Sequence, residues 1–481
     1  MLEYEMSKIN LFALLLISFV IFAPSVLATT YTVTNTKDSG PGSLREAVAT
    51  ANSTSADDLI VFDILGCPNG VCMIVLTSGQ FLVSGSDSAG TLTISNPAGP
   101  QKLIVSGNHA SRIFYVDSGA HLSIDGLTME RGTAEEGGGI LNHGDLRITN
   151  AAIQDCVSIN YWAGGGIAND GGNLVLEVTE VRNNTATWGG GGIFSMDGPL
   201  SIRDSTIAGN VGYGGGGIDL SAYANYSWSA TIANSTLSGN VSRHPDGDLQ
   251  AGGAVYLENS GVPVHFINVT ITQNLANTGG AVFADGLIGG SMFYRNSIFS
   301  GNTGSQYPDI DTRYVSTHDL GNNLIGGSPF LGALANNGGM TRTHALLAGS
   351  PAIDGGNNCV LTANGCGDNN PALPADQRGV GRIGTVDIGA YEVNSPPISY
   401  QLSGRVFTPD GRGLRNATVF MTDSLGARRT VTTSAFGYYV LDNVAGGETY
   451  TLGVASKLYR FATQTMQVTG TLTDVNFMGL E

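Results

Sequence analysis

The chain has 481 residues, 69 of them glycine, with 22 lysines and arginines against 39 acidic residues and a formal net charge of −17. That balance excludes a nucleic-acid binder, because no basic stripe is present to neutralise phosphates. Glycine at this level suits a flexible tract, yet aliphatic residues recur at aligned positions, which disordered tracts do not maintain.

The chain opens on an export signal. Lys8 precedes an apolar run from Ile9 to Val20, and Val26-Leu27-Ala28 offers small residues for cleavage after Ala28. A retained membrane anchor is the competing reading, but the run is short for a span. No later segment is apolar enough to cross a bilayer, so the exported chain is expected to be soluble or peripherally attached, and monomeric. Residues 1–28 are assigned to the signal and 29–110 to an N-terminal cap region. In that cap region Asp57 and Asp58 are expected to be solvated.

A Gly-rich step ending in an aliphatic residue then repeats. It ends at Ile140, Ile167, Ile193, Ile218, Val255 and Val282, at intervals of 27, 26, 25, 37 and 27 residues. Such a period means stacked units that cannot bury an apolar face alone. Between the steps lies a second motif, clearest as Ser205-Thr206-Ile207-Ala208-Gly209-Asn210 and Ser235-Thr236-Leu237-Ser238-Gly239-Asn240. Aligned on the last residue, seven copies end at Gly132, Cys156, Asn184, Asn210, Asn240, Asn274 and Asn302. The positions three, eight and ten before it are apolar in every copy. The last two share one face of a strand. Six before the anchor stand Asn150, Asp204, Asn234, Asn268 and Asn296, which suit a left-handed bend.

Each repeat therefore reads as strand, bend, strand, turn and Gly-rich return strand. The fold class is all-β: a right-handed parallel β-helix over 111–394, with a continuous aliphatic core. Asn184, Asn210, Asn240, Asn274 and Asn302 are predicted to form an amide ladder along the stack. Beyond Ser395-Pro396-Pro397 the periodicity gives way to short alternating strands, including Leu402 to Phe407 and Ala417 to Thr422, which read as a small β-sandwich over 399–481 behind a Pro hinge.

Several stretches resemble families of exported bacterial proteins. Ser39 to Val48 is similar to the signature of the CSLREA domain, with Gly42 where that signature has Cys. The Gly steps and Asn motifs resemble polymorphic outer-membrane-protein repeats and pectin-lyase-like folds. Ser350-Pro351-Ala352-Ile353-Asp354, Asp376-Gln377-Arg378-Gly379 and Asp387 to Glu392 look like the ending of choice-of-anchor Q domain proteins. Residues 400–481 resemble a carboxypeptidase regulatory-like, transthyretin-like domain through Gly404-Arg405-Val406 and Phe436-Gly437-Tyr438-Tyr439. These resemblances imply an extracellular or cell-surface location and no particular reaction.

Of the five cysteines, Cys67 with Cys72 and Cys359 with Cys366 lie close enough to close local disulfides after export. Metal ligation is the rival reading, though the spacing is not finger-like. Cys156 stands where other coils carry the ladder Asn and reads as a buried thiol.

The sequence offers two functional readings. In the first, Trp162, Trp188 and Tyr213 stand five residues before three successive Gly-step aliphatics and form an aromatic ladder for a polysaccharide or cell-envelope ligand, without catalysis. In the second, a polysaccharide lyase or glycoside hydrolase, Asp170 and Asp197 are the candidate carboxylates. Asp219 and Asp285 also follow Gly steps, but at different offsets, so convergence is not expected. No metal site or cofactor is specified; Ca2+ would suit the acidic surface without a cluster to bind it.

Overall fold

The computed structural model describes residues 28–85, 90–160, 163–222, 228–258, 262–285, 291–312, 315–368, 370–393, 399–423, 428–445 and 449–480. Residues 1–27 of the expected export signal, Trp162, the expected Pro hinge and most of the Asp423 to Gly426 segment lie outside these residues. The chain divides into Met1–Val393 and Asn394–Glu481.

The first unit is a parallel β-solenoid of about 10 turns. Its three apolar columns stack in register. Leu122, Leu146, Leu174, Leu200, Ala230, Val264 and Met292 face one another coil to coil. So do Met129, Ile153, Val181, Ile207, Leu237, Ile271 and Phe299. Every member of both columns is buried, within one cluster running from Val33 to Phe299. The Gly-step aliphatics form another column, Ile140 through Val282, on a separate sheet.

Where a turn was expected after the anchor, the coils anchored at Gly132 to Asn240 instead carry a two-residue strand such as Thr185–Ala186 or Val211–Gly212, and the next two continue it as single bridges at Leu275 and Thr303. The Gly step passes tightly over this strand. A Cβ at Gly165 would lie 2.3 Å from Gly191 O and 2.6 Å from the backbone of Thr185. No side chain fits there without moving backbone, so the repeated glycine is a packing requirement.

The solenoid begins earlier than the regular repeats. Ile60, Ile94 and Ile124 continue one column in register, and Thr30–Val33 pairs with the Ile60 strand. The helix Leu44–Ala51 lies against this first coil, burying Leu44, Ala47, Val48 and Ala51. Ser43 caps the helix, its side chain accepting from Glu46 N, and Glu46 reaches back to accept from Gly42 N, one residue before the cap. One expectation fails here. Asp58 is buried, not solvated, because Thr54 Oγ1 and Thr29 N donate to it.

The bend positions behave as the residue types demand. Asn150, Asp204, Asn234, Asn268 and Asn296 have φ of 46, 53, 52, 52 and 49°. In the coil anchored by Asn184 this position is Val178, at φ 49°. A β-branched residue there is strained.

The Asn ladder is present and buried. Nδ2 of Asn184, Asn210, Asn240 and Asn274 each donates to Oδ1 of the next, at 3.0, 3.0, 2.9 and 2.8 Å. Each Oδ1 also accepts a backbone N–H from the preceding coil, as Asn240 does from Asn210 N. Each Nδ2 also donates to the preceding coil's carbonyl, as Asn240 does to Ile207 O. Cys156 N donates to Asn184 Oδ1, and Cys156 Sγ accepts from Gly132 N. The thiol is buried, and burial pushes its pKa up to about 12. It is an unreactive filler of the ladder site.

The second unit has its own core, around Leu402, Val419, Leu441, Leu452 and Phe477. Ser399–Phe407 pairs antiparallel with Tyr438–Ala445, and Thr418–Thr422 lies between Arg428–Thr432 and Thr449–Ala455. Tyr439 is buried and its hydroxyl donates to Val475 O at 2.7 Å.

Two stability predictions follow from this geometry. Asn240→Ala leaves buried groups on both neighbouring coils unpaired and should cost about 3 kcal/mol or more in denaturant unfolding, whereas Cys156→Asn should fold with stability near wild type. Val178→Asn should raise the unfolding midpoint, since a left-handed β-branched residue costs roughly 1–2 kcal/mol.

Candidate functional site

Trp188 and Tyr213 occupy the turns between the two-residue strands and the Gly steps. Their ring centroids are 4.5 Å apart with planes inclined at 51°. The tilt makes them the wall of a cleft and not a flat platform. His244 stands edge-on to both rings at 5.4 and 5.5 Å. It comes from the one long coil, whose extra residues after Val241–Ser242 fold back toward this wall. Trp162, the third ring of the expected ladder, is not among the described residues.

Below the wall lies a cleft of about 260 Å³, lined by Trp188, Tyr213, Gly214, Asp219, Tyr256 and Glu258 among others. The return strands build its floor. In Ile218–Ser221, Ile218 and Leu220 face the core, which turns Asp219 and Ser221 outward. The next coils place Tyr256 and Phe283 beside Asp219, and Glu258 and Asp285 beside Ser221. Tyr256 and Phe283 stack at 5.3 Å with planes 10° apart. Gly214 makes room for the acid: a Cβ there would lie 2.5 Å from Asp219 Oδ2.

The electrostatics of the floor are unusual. Asp219 is 2% exposed, and its Oδ1 has no hydrogen-bond partner among the described residues. Burial, then the charge of Glu258, pushes its pKa well above the ordinary carboxyl range. Burial also raises Glu258, against the Ser221 hydroxyl that donates to it at 2.9 Å, and Asp285 adds like charge.

Asp170 and Asp197 are not brought into this cleft. Asp170 is in register with Met196, so Asp197 lies one residue beyond that row, at a turn with φ 54°. Asp170 is half-exposed, and its Oδ2 lies 3.5 Å from His143 Nδ1. The cleft acids sit one or three residues past the Gly-step aliphatic, and these offsets share the outward face. Equal parity was the available signal, and Glu258, three past Val255 like Asp285 past Val282, was missed although its offset was in phase. A second outward column, His265, Phe293 and His318, was also missed. Its rings stack at 4.7 and 4.5 Å with planes 7 and 10° apart.

Both local cysteine pairs are disulfides, Cys67–Cys72 and Cys359–Cys366. Arg182 and Arg203 form surface ion pairs with Glu180 and Asp204.

The motifs of the closing segment bind the solenoid itself. Gln377 inserts between coils, accepting from Thr236 Oγ1 and donating to Thr206 Oγ1 and Thr341 Oγ1. Asp376 holds Arg378 through two side-chain contacts and also accepts from Glu392 N. Arg382 and Glu392 form an ion pair at 2.8 Å whose side chains are 0 and 2% exposed, and Arg382 also donates to Asn234. His344 Nε2 meets Ser238 Oγ at 2.8 Å. Asp387 accepts from Asp354 N and Val393 N, yet burial pushes its pKa to about 6. The most specific motif of the chain is thus a strap across the bend face of the coils.

Residues 401–478 match the family model of the carboxypeptidase regulatory-like domain. No curated protein matches the chain. No helix among the described residues is long and apolar enough to cross a membrane.

The raised carboxyls fix the sign of a pH effect. Asp219, Glu258, Asp387 and Glu392 all have folded pKa values above their unfolded ones. Their contribution is full below about pH 4 and is lost as pH rises through the raised values. Asp38 acts oppositely. Burial works against its charge, but hydrogen bonds from Arg45, Ser78 and Thr77 hold it at about 2, so its contribution is lost only as pH falls toward that value. Thermal melting followed by circular dichroism should therefore give a higher midpoint at about pH 5 than at about pH 8, and Asp219→Asn should flatten that slope.

Proposed function

We propose that this is an exported bacterial cell-surface protein that binds carbohydrate in the cleft between Trp188, Tyr213 and Tyr256, without catalysis. The observation that carries this reading is the cleft itself, with a wall of two rings over a floor of Tyr256 and acidic groups. Sugars present an apolar face to an aromatic ring and hydroxyls to polar groups, so this lining suits them. The two local disulfides favour an oxidising compartment. The CSLREA-like and choice-of-anchor-Q-like stretches support the same reading, with 29–110 as the cap region that carries the first coils, 111–394 as the regular β-helix with its closing segment and 399–481 as a regulatory-like sandwich acting as a spacer or mount. The expected partner is a polysaccharide or another envelope ligand, bound by a monomer.

A second reading, a glycoside hydrolase, is favoured by one observation. Glu258 and Asp219 are held toward their protonated forms, as a general acid requires. A lyase has less support, because the described lining includes no arginine or lysine to act as base.

Glycan-array binding followed by affinity measurement tests the proposal. Trp188→Ala and Tyr213→Ala should each weaken binding roughly tenfold or more, the scale of a lost ring contact. Reducing-sugar release from a bound glycan would favour the hydrolase, and unchanged binding in both variants would remove the cleft from consideration.

A further inference from the structure

The chemistry of the floor narrows the ligand class, and this step rests on the carbohydrate reading above. Asp219 lines the cleft but is almost completely buried, and its Oδ1, shielded from solvent, has no partner among the described residues. A buried carboxyl in that state is costly unless a donor or counter-charge reaches it. No described neighbour donates to that atom. Ser221 already donates to Glu258, and Tyr256 lies opposite in the same row. Glu258 and Asp285 add two further carboxyls on adjacent coils, and the described lining has no basic residue to balance them.

Each ligand class meets this floor differently. A uronate brings a further negative group to a floor already crowded with carboxyls and is disfavoured. A neutral sugar supplies hydroxyl donors but leaves the acids without a counter-charge. A quaternary ammonium would satisfy the rings but has no N–H for Asp219. A primary ammonium does both: it donates to the Asp219 carboxyl, neutralises the floor and lies against the negative faces of Trp188, Tyr213 and Tyr256. The tilt between Trp188 and Tyr213 lets their faces converge on a cleft with room for one small ring.

We propose that the cleft is selective for a protonated primary amine presented on a sugar, a glucosamine-type unit with its nitrogen unacylated, whose ammonium pairs with the Asp219 carboxyl beneath the aromatic wall.

Calorimetric titration of the full chain tests this with four probes: a glucosamine tetramer, its N-acetylated counterpart, a galacturonate tetramer and butylammonium. The measurement is made at about pH 6, where the amines carry their proton. The glucosamine tetramer should bind roughly tenfold or more tightly than the N-acetylated one, the scale expected of a desolvated cation on rings. The galacturonate should bind least. Asp219→Asn should abolish the preference for the free amine, and Glu258→Gln, which leaves Asp219 in place, should reduce it. Glu258→Gln also serves as the test if Asp219→Asn does not fold.

Equal binding of the free and acetylated sugars, or a preference that survives both variants, would overturn the amine assignment while leaving the carbohydrate reading intact. Butylammonium binding that Asp219→Asn abolishes, with no sugar bound, would uphold the amine site and remove the carbohydrate reading. Binding of none of the four probes would overturn both.

Discussion

The structure depends on one constraint: each coil must lie in exact register on the next. Apolar columns alone do not impose it, because aliphatic side chains tolerate sliding against one another. The buried Asn ladder does. Each amide ties the coil before it twice, through a backbone N–H into its Oδ1 and through its own Nδ2 onto a carbonyl, and then ties the coil after it. A shift of one residue would leave all of these groups unpaired in the interior, at about 1–3 kcal/mol each. The left-handed bends and the close passage of the Gly steps follow from that register, since both fix the path between one ladder rung and the next.

Register also explains how a site arises on a repetitive scaffold. Outward positions one and three past the Gly-step aliphatic form rows running along the stack. In the upper row three positions past it, Asp170, Met196, Ser221, Glu258 and Asp285 follow one another. The acids become a cluster only where Glu258 and Asp285 adjoin Asp219 in the neighbouring row. Asp170 belongs to the same row but is separated from Glu258 by Met196 and Ser221. The site is therefore local because the sequence of outward residues is not periodic, although the backbone beneath it is.

This division decides what could be read from the sequence. The inward columns, the bend residues and the ladder were legible because burial and backbone geometry each admit a narrow set of residues. Val178 shows the limit, as a coil that obeys the pattern with a residue unsuited to it. Cys156 shows another, since only its column position revealed that a thiol was filling an amide's place. The cleft was less legible. Trp188 and Tyr213 were visible through a shared offset, and Glu258 kept the offset of Asp285, but His244 comes from the long coil's insertion, where offsets lose their phase. The strap was opaque for a different reason. Thr236 and Gln377 are 141 residues apart, and a single side-chain pairing across that separation leaves no periodic trace.

The strap and the cleft belong to the same stretch of solenoid, and their energetics are complementary. The cleft is a local liability: Asp219 Oδ1 has no partner among the described residues, and Asp285 adds like charge beside Glu258. Such a floor favours opening of the coils that carry it. On the bend face those coils are braced by Gln377 bridging Thr206 and Thr236, and by Arg382 reaching Asn234. These contacts join neighbouring coils from outside, where neither the aliphatic columns nor the ladder reaches. A rigid support on one face allows a strained, preorganised polar site on another. The buried Arg382–Glu392 pair is then best understood through what it positions. As an isolated ion pair it would add little net stability, because desolvation offsets its attraction. As the fixed point that places Arg382 on Asn234 and Glu392 on Asp387 N, it sets where the strap crosses the coils.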